Sequence, residues 1–588
     1  MSLISGSSAA RVISVKGSEI EIAFDGAGQR VTVGKLMAIR SASADLIVMV
    51  SEMSALASRF EELDHPSALA KVRLLGEIRR DGAQAFRRGA SEAPAIGDEA
   101  RLVDASELQL IYGASAGRMI DIGEVQQDRT IPARIRVDDL VSKHFAVLGT
   151  TGVGKSSGVA VILRQILDAR PDLRIFVLDS HNEYSRCFGD RSSIVNSGNL
   201  KLPFWLFNFE EFVDVVYGGR PPVGEEVEIL AELIPIARSN YHQEKQSLDR
   251  MALKRADPKS TGYTIDTPVP YLLQDLIDLI DERMGRLDNR PFRMHHHRLI
   301  SRLDRIRNDP RYDFMFKNAN VGGDTMAELL SHLFRLEPGG RMMTIAQLAG
   351  LPAEAMDAVV CILMRLAFEF GVWSKGAVPM LFICEEAHRY ACSDHSVGFN
   401  PTRRALAQIA KEGRKYGVFL GLVTQRPAEL DATIISQCST IFAMRMANDR
   451  DQALLRSAVA DAGVNLLEFL PSLGTREAIA FGESVPLPVR MTFRELPDHA
   501  LPANDASAVL NGAGSLQQDF VKSIVERWRG ATLTRKPNGV ADETSPARLD
   551  ADDADTQTRV LAQIRERILR RDREAVVGEG SASNGAFR

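Results

Sequence analysis

Residues 149–156, Gly-Thr-Thr-Gly-Val-Gly-Lys-Ser, fit the spacing G-x-x-x-x-G-K-[ST]. The chemistry is phosphate binding. Gly149, Gly152 and Gly154 let the backbone wrap tightly, so that its N–H groups face an anion. The helix expected to follow turns its positive N-terminal end toward the same anion. Lys155 can reach the β- and γ-phosphates of a nucleoside triphosphate, and the Ser156 hydroxyl can ligate Mg²⁺. Thr150, Thr151, Val153 and Ser157 complete the candidate nucleotide-binding stretch, with ATP and Mg²⁺ as the expected ligands.

Three further segments end an apolar run in polar groups. Leu381-Phe-Ile-Cys-Glu385-Glu386-Ala-His388 delivers two acids. Glu386 is placed to activate the attacking water and Glu385 to support Mg²⁺, indirectly, because Asp is the more usual residue there. Ile175-Phe-Val-Leu-Asp179-Ser-His181-Asn-Glu183-Tyr184 offers Asp179 and Glu183, which could order the metal or the nucleotide-sensing loop. Val418–Val423 leads into Thr424-Gln425-Arg426-Pro427, where the Gln425 amide can sense the γ-phosphate. Upstream, Gly413-Arg414-Lys415 closes a helical stretch. Arg414 is a candidate finger for a neighbouring copy's nucleotide, a contact worth roughly 10³–10⁵ in turnover; the competing assignment is a cation resting on a helix C-terminus. His295, His296 and His297 are adjacent in a helical stretch and point about 100° apart, a poor arrangement for one metal ion. Arg403, Arg404 and Lys411 are candidates for a pore loop or for a solvated face.

These strand ends need a scaffold. Phe145–Leu148, Ile175–Leu178, Met380–Cys384 and Val418–Val423 are apolar throughout, as strands covered on both faces are. Val159, Ile162, Leu163, Ile166 and Leu167 repeat at helical spacing after the first of them. Alternating strands and helices predict an open α/β sheet over 121–208 and 342–496, interrupted by a helical insertion over 209–341 where Val227, Ile229, Leu230, Leu233 and Ile234 recur. Residues 1–120 read as a small barrel of short strands, for assembly or partner docking: Ile20, Ile22 and Phe24 alternate with polar or small residues, and further strands are expected at Arg30–Val33, Leu46–Val50, Lys71–Ile78 and Ala100–Val103. Residues 497–588 turn polar, with one helix near Leu516–Arg529 and a final amphipathic one carrying Val560, Leu561, Ile564 and Ile568 beside several arginines, which either docks on a neighbour, touches nucleic acid or is solvated.

The chain has 588 residues, 45% apolar and 25% charged, enough to bury a large core. Its net charge of −5 confines any nucleic-acid contact to a local patch or channel. No apolar run approaches a membrane span, no secretory signal is evident, and five cysteines without C-x-x-C spacing disfavour a disulfide framework or zinc cage. A reducing cytoplasm is the expected compartment.

Taken together, Lys143-His144 leading into the glycine loop, Asp179-x-His181-x-Glu183-Tyr184, Glu385-Glu386-Ala387-His388, Gly413-Arg414-Lys415 and Thr424-Gln425-Arg426-Pro427 resemble, in order, the HerA family of hexameric DNA translocases within the HerA–FtsK branch of P-loop ATPases. Asn182 departs from the family's usual Gly, and Glu385-Glu386 from the Asp-Glu of many such motors. The resemblance implies an α/β, RecA-like P-loop core preceded by a β-barrel. It also implies a homo-hexamer with ATP at subunit interfaces, duplex DNA in a central channel, and a partner nuclease or other effector in DNA end processing or antiphage defence. A ring scaffold that uses ATP to assemble and activate an effector is the alternative. A secretion-coupling ATPase is weakened by the missing membrane segment.

Overall fold

The structure, a computed structural model, describes residues 10–502 apart from 25–30, 56–67, 81–83, 114–116, 251–261, 287–289, 318–323, 352, 395–397 and 459–460, and beyond 502 only Val525. The two C-terminal helices expected from the sequence therefore lie outside the described residues, Val525 aside.

The first strands are β1 (Ala10–Lys16), β2 (Glu19–Phe24), β3 (Leu36–Arg40), β4 (Ala44–Ala55), β5 (Ala68–Arg79), β6 (Phe86–Arg88) and β7 (Glu99–Leu102). They pair in the order β2-β1-β7-β3-β4-β5-β6, and an added β2–β5 pairing closes six of them into a barrel. Side chains alternate across a strand, and here the two sets serve two cores. Met37, Ile39, Leu46, Val48 and Val50 fill the barrel with Ile20, Ile22 and Val72. Leu36, Ala38, Ile47 and Met49 face outward and join the core of the rest of the chain. The strand expected at Arg30–Val33 is absent: residues 31–35 form an irregular turn, and the strand starts at Leu36. The Gly34 backbone explains the shift, since its φ of +87° breaks the extended conformation.

After α1 (Ala105–Gly113) the chain enters one large sheet through β8 (Met119–Val125), β9 (Asp128–Arg136), α2 (Val137–Val141), β10 (His144–Leu148), α3 (Lys155–Ala169), β11 (Arg174–Asp179) and β12 (Ser192–Val195). The insertion follows as α4 (Phe209–Tyr217), α5 (Gly224–Arg250), α6 (Leu273–Gly285), α7 (Arg290–Arg307), α8 (Asp313–Phe316) and α9 (Met326–Leu333). The sheet resumes with β13 (Met343–Gln347), α10 (Ala353–Trp373), β14 (Met380–Cys384), α11 (Asn400–Glu412), β15 (Val418–Thr424), β16 (Cys438–Met444), β17 (Glu477–Gly482) and β18 (Val489–Phe493). Strand order is β12-β13-β11-β14-β15-β10-β16-β17-β18-β8-β9. The seven strands from β12 to β16 in that order run parallel, and the last four extend the sheet antiparallel.

The four apolar runs are β10, β11, β14 and β15, and every residue of β10, β14 and β15 is buried. Past His144 and Arg174 at the starts of β10 and β11, these four parallel strands are apolar until polar groups follow at their C-terminal ends. That edge is where open α/β sheets bind ligands. On α3, Val159, Ile162, Leu163, Ile166 and Leu167 all pack inward, fixing the start of the helix under the sheet edge.

Candidate nucleotide-hydrolysing site

The loop 149–154 joins β10 to α3 as its glycine pattern requires. Gly152 and Gly154 have φ of +75° and +94°, a left-handed region that costs most other residues energy. Gly149 has no room for a side chain: a Cβ there would lie 2.8 Å from Met444 Cβ. The loop is tied to neighbouring strands, with Thr150 N–H donating to Arg445 O at 3.0 Å and Arg476 N–H to Val153 O at 2.8 Å. Lys155 Nζ donates to Thr150 O at 2.8 Å, folding its ammonium back over the loop. Ser156 Oγ donates to Glu183 Oε2 at 2.6 Å, which spends its proton and leaves oxygen lone pairs free.

The expected residues come together from four strand ends. Thr151, Gly152, Gly154, Lys155, Ser156, Ser157, Glu183, Glu385, Glu386 and Gln425 line one open cleft with His181 and Arg476. Val153 instead points into the core. Asp179 is fully buried, and its two carboxylate oxygens accept the N–H groups of Glu183 and Tyr184, each at 3.0 Å. Of the two roles open to it in the sequence, this is the loop-ordering one: Asp179 positions Glu183 and does not face the cleft. Between them, Asn182 adopts φ +58°. Asn is among the few residues that tolerate this conformation, so it substitutes there for glycine.

Asp179 and Glu385 share a carboxyl–carboxylate hydrogen bond. Burial, and then the charges of Asp179 and Glu183, push Glu385 well above the ordinary carboxylate range; burial raises Asp179 as well. Both carboxyls thus sit in a buried site that disfavours the charged form of each. Glu385 Oε2 is buried with no hydrogen-bond partner among the described residues. Burial lowers the pKa of Lys155, opposed by the charges of Glu386, Glu385 and Glu183. Three acids around one ammonium, with an orphan carboxylate oxygen and a hydroxyl oxygen, form a donor set suited to a hard divalent cation. Mg²⁺ would be held by Ser156 with Glu385 behind it, and would supply charge neutralisation at the phosphates.

Glu386 sits in the left-handed region at φ +50°, a strained conformation that aims its carboxylate into the cleft. Its Oε2 lies 3.2 Å from His388 Nδ1, off the line of a hydrogen bond because the same nitrogen faces Thr424 Oγ1 at 3.0 Å. Its Oε1 is 3.5 Å from His181 Nε2. Gln425 Oε1 accepts from Thr151 Oγ1, joining the end of β15 to the glycine loop. A carboxylate with a free oxygen beside the phosphate cradle can accept a proton from water, and the amide can follow the terminal phosphate.

Arg414 is elsewhere. It is exposed in a tight turn, Gly413–Tyr416, before β15, while Gln425 follows that strand. The seven residues of β15 put about 20 Å between the two ends. Arg414 lies instead near His144, whose imidazole Nδ1 accepts Leu420 N–H at 2.9 Å and whose Nε2 faces Ala410 O at 2.9 Å. Arg414 cannot touch its own chain's nucleotide. Arg476 was not anticipated. It has φ +65°, packs against Gly154 and lines the cleft, with its guanidinium 3.6 Å from the exposed Glu495. Its only sequence signal is a Gly474-Thr475-Arg476 turn, and nothing in that spacing points at a loop some 320 residues earlier.

A phosphate-binding loop, a buried acid pair and the Gln425 amide at one edge of a parallel sheet define a P-loop ATPase with a RecA-like core. Residues 120–367 match the family described as the central domain of helicase HerA. The DNA double-strand break repair helicase HerA of Pyrococcus furiosus is 29% identical over 462 residues, covering 72% of this chain and 75% of that protein. The protein of the same name from Sulfolobus acidocaldarius is 24% identical over 74% of this chain and 80% of its own length. Among solved structures, VirB4 of Thermoanaerobacter pseudethanolicus aligns at 13% identity and a TM-score of 0.45, over 66% of this chain and 98% of that one. Residues 120–367 are thus similar to the HerA central domain, and the chain is an ATP hydrolase. Among the described residues no helix is long and apolar enough to cross a membrane.

Proposed function

We propose that the protein is an ATP-driven translocase acting on duplex DNA as a ring of six copies, together with a partner nuclease or other effector. The names of its relatives support the DNA substrate. The observation that carries the reading is the division of the site. Phosphate cradle, water-activating acid and sensor amide share one sheet edge, while an exposed arginine stands at the opposite edge. Identical copies placed head to tail bring the second edge of one onto the first edge of the next, which is how rings close.

On this reading Lys155 and the loop N–H groups hold the triphosphate, and Glu386 takes the proton of the attacking water. Gln425 registers the terminal phosphate and passes its loss to β15 through Thr424 and His388. Arg414 of the adjoining copy meets the charge that develops on the transferring group. Motion along DNA follows from phosphate contacts, blind to sequence and weakened by salt. The test is ATPase rate with and without duplex DNA, together with displacement of a protein roadblock bound to that DNA. Stimulated turnover and displacement support the translocase; DNA-independent hydrolysis with the roadblock left in place contradicts it and favours an ATP-regulated scaffold.

A further inference from the structure

The helix α7 (Arg290–Arg307) of the insertion carries six arginines and one acid, Asp304, in a chain whose net charge is −5. Its buried stripe, Leu299, Leu303 and Ile306, packs into the core. Arg302 and Arg307 are committed to partners: Arg302 to the fully buried Glu226 at 3.2 Å and to the Tyr217 ring at 4.7 Å, Arg307 to Asp304 at 2.7 Å. On the neighbouring α6, Arg283 pairs with Glu232 and Arg286 with Glu282. Arg293, Arg298 and Arg305 differ. All three are exposed and form no ion pair among the described residues. With His297, Ser301 and the half-exposed Met294, they occupy one sector of the helix, roughly 140° wide at 3.6 residues per turn, opposite the buried stripe.

We infer that this face of α7 is a second binding surface, for the phosphate backbone of duplex DNA outside the nucleotide site. Three cations spaced over about 18 Å of helix suit a row of phosphates rather than a single small anion. Guanidinium groups engage phosphate oxygens in pairs. Of the side chains around them, His297, Ser301 and Met294 bring no negative charge; the one acid of the helix, Asp304, falls in the same sector and is held by Arg307 at 2.7 Å. The inference rests on the proposed DNA substrate and adds to it a contact made by the insertion, outside the ATPase core.

The test uses the full chain and a blunt duplex of about 30 base pairs, with the dissociation constant measured across a range of KCl. Three proteins are compared: wild type, the triple variant Arg293→Ser, Arg298→Ser, Arg305→Ser, and the triple variant with Lys at the same positions. Each phosphate contact contributes about 0.9 to the slope of log affinity against log salt. The Ser variant is expected to lose about 2.7 from that slope and tenfold or more in affinity at low salt, roughly, while the Lys variant keeps both close to wild type. A Ser variant that binds like wild type overturns the inference and leaves the DNA substrate standing. A Lys variant as weak as the Ser variant also overturns it, because charge would not be the cause. Failure of the wild type to bind duplex at all overturns the proposed DNA substrate and the inference with it.

Discussion

In the proposed mechanism hydrolysis turns on Glu386, and its surroundings predict how its loss will look. Its strained backbone sets its carboxylate between two histidines, while the Lys155 ammonium hydrogen-bonds to the loop carbonyl of Thr150. Glu386→Gln is therefore expected to bind ATP as wild type does and to lose about 10²–10⁴-fold in turnover, read by steady-state ATPase beside a nucleotide-binding titration. Comparable turnover in the variant would remove Glu386 from the mechanism. His144 offers a second residue-level test. Burial holds its pKa down at about 4, its backbone partner Ala410 working against that and nearby Arg414 with it. The folded protein then binds fewer protons than the unfolded chain between about pH 4 and 6.5, so stability falls as pH drops through that window. The loss reaches on the order of 3 kcal/mol by its lower end. His144→Leu should be less stable at neutral pH, since Leu420 N–H loses its acceptor, but its melting temperature should fall less steeply from pH 6.5 to 4. An unchanged slope would exclude His144 as the titrating group.

At the scale of elements, the strands that present the site were legible because a strand buried on both faces must be apolar until its polar end, and Phe145–Leu148 or Met380–Cys384 can be little else. The same reasoning is silent at the margins. β12 (Ser192–Val195) and β13 (Met343–Gln347) are short, and β12, at the sheet edge, leaves Ile194 36% exposed, so neither makes a conspicuous run. The antiparallel extension β16–β18 pairs with β8 from far upstream, a register that no local pattern encodes. Site residues within one motif were legible for the same reason. Arg476 beside Gly154, and His388 against Thr424, are meetings of distant segments and were not. The barrel shows what alternation does fix: from Leu46 to Val50, odd residues of β4 face the core of the large sheet and even ones the barrel. Ile47→Ala therefore opens a cavity at the joint while the barrel interior keeps Leu46, Val48 and Val50. It should cost about 2–5 kcal/mol in chemical or thermal denaturation. A cost below about 1 kcal/mol would show that the joint is loosely packed.

At the scale of the whole molecule, the proposed mechanism draws on groups at two edges of one sheet, the cleft and Arg414, which one copy holds about 20 Å apart. The net charge of −5 gives no general affinity for nucleic acid, so DNA must be met by local basic surfaces such as that of α7. Each interface of the proposed ring would combine the cleft of one copy with Arg414 of the next. The most direct test of that claim is a mixing experiment with Lys155→Ala, which has an arginine but no working cleft, and Arg414→Ala, which has a cleft but no arginine. Each alone should be inactive. Mixed in equal amounts and allowed to exchange, about one interface in four joins an intact cleft to an intact arginine, and ATP turnover should recover toward a quarter of wild type. If Arg414→Ala alone hydrolyses ATP at the wild-type rate, or the mixture stays as inactive as its components, the shared site is contradicted.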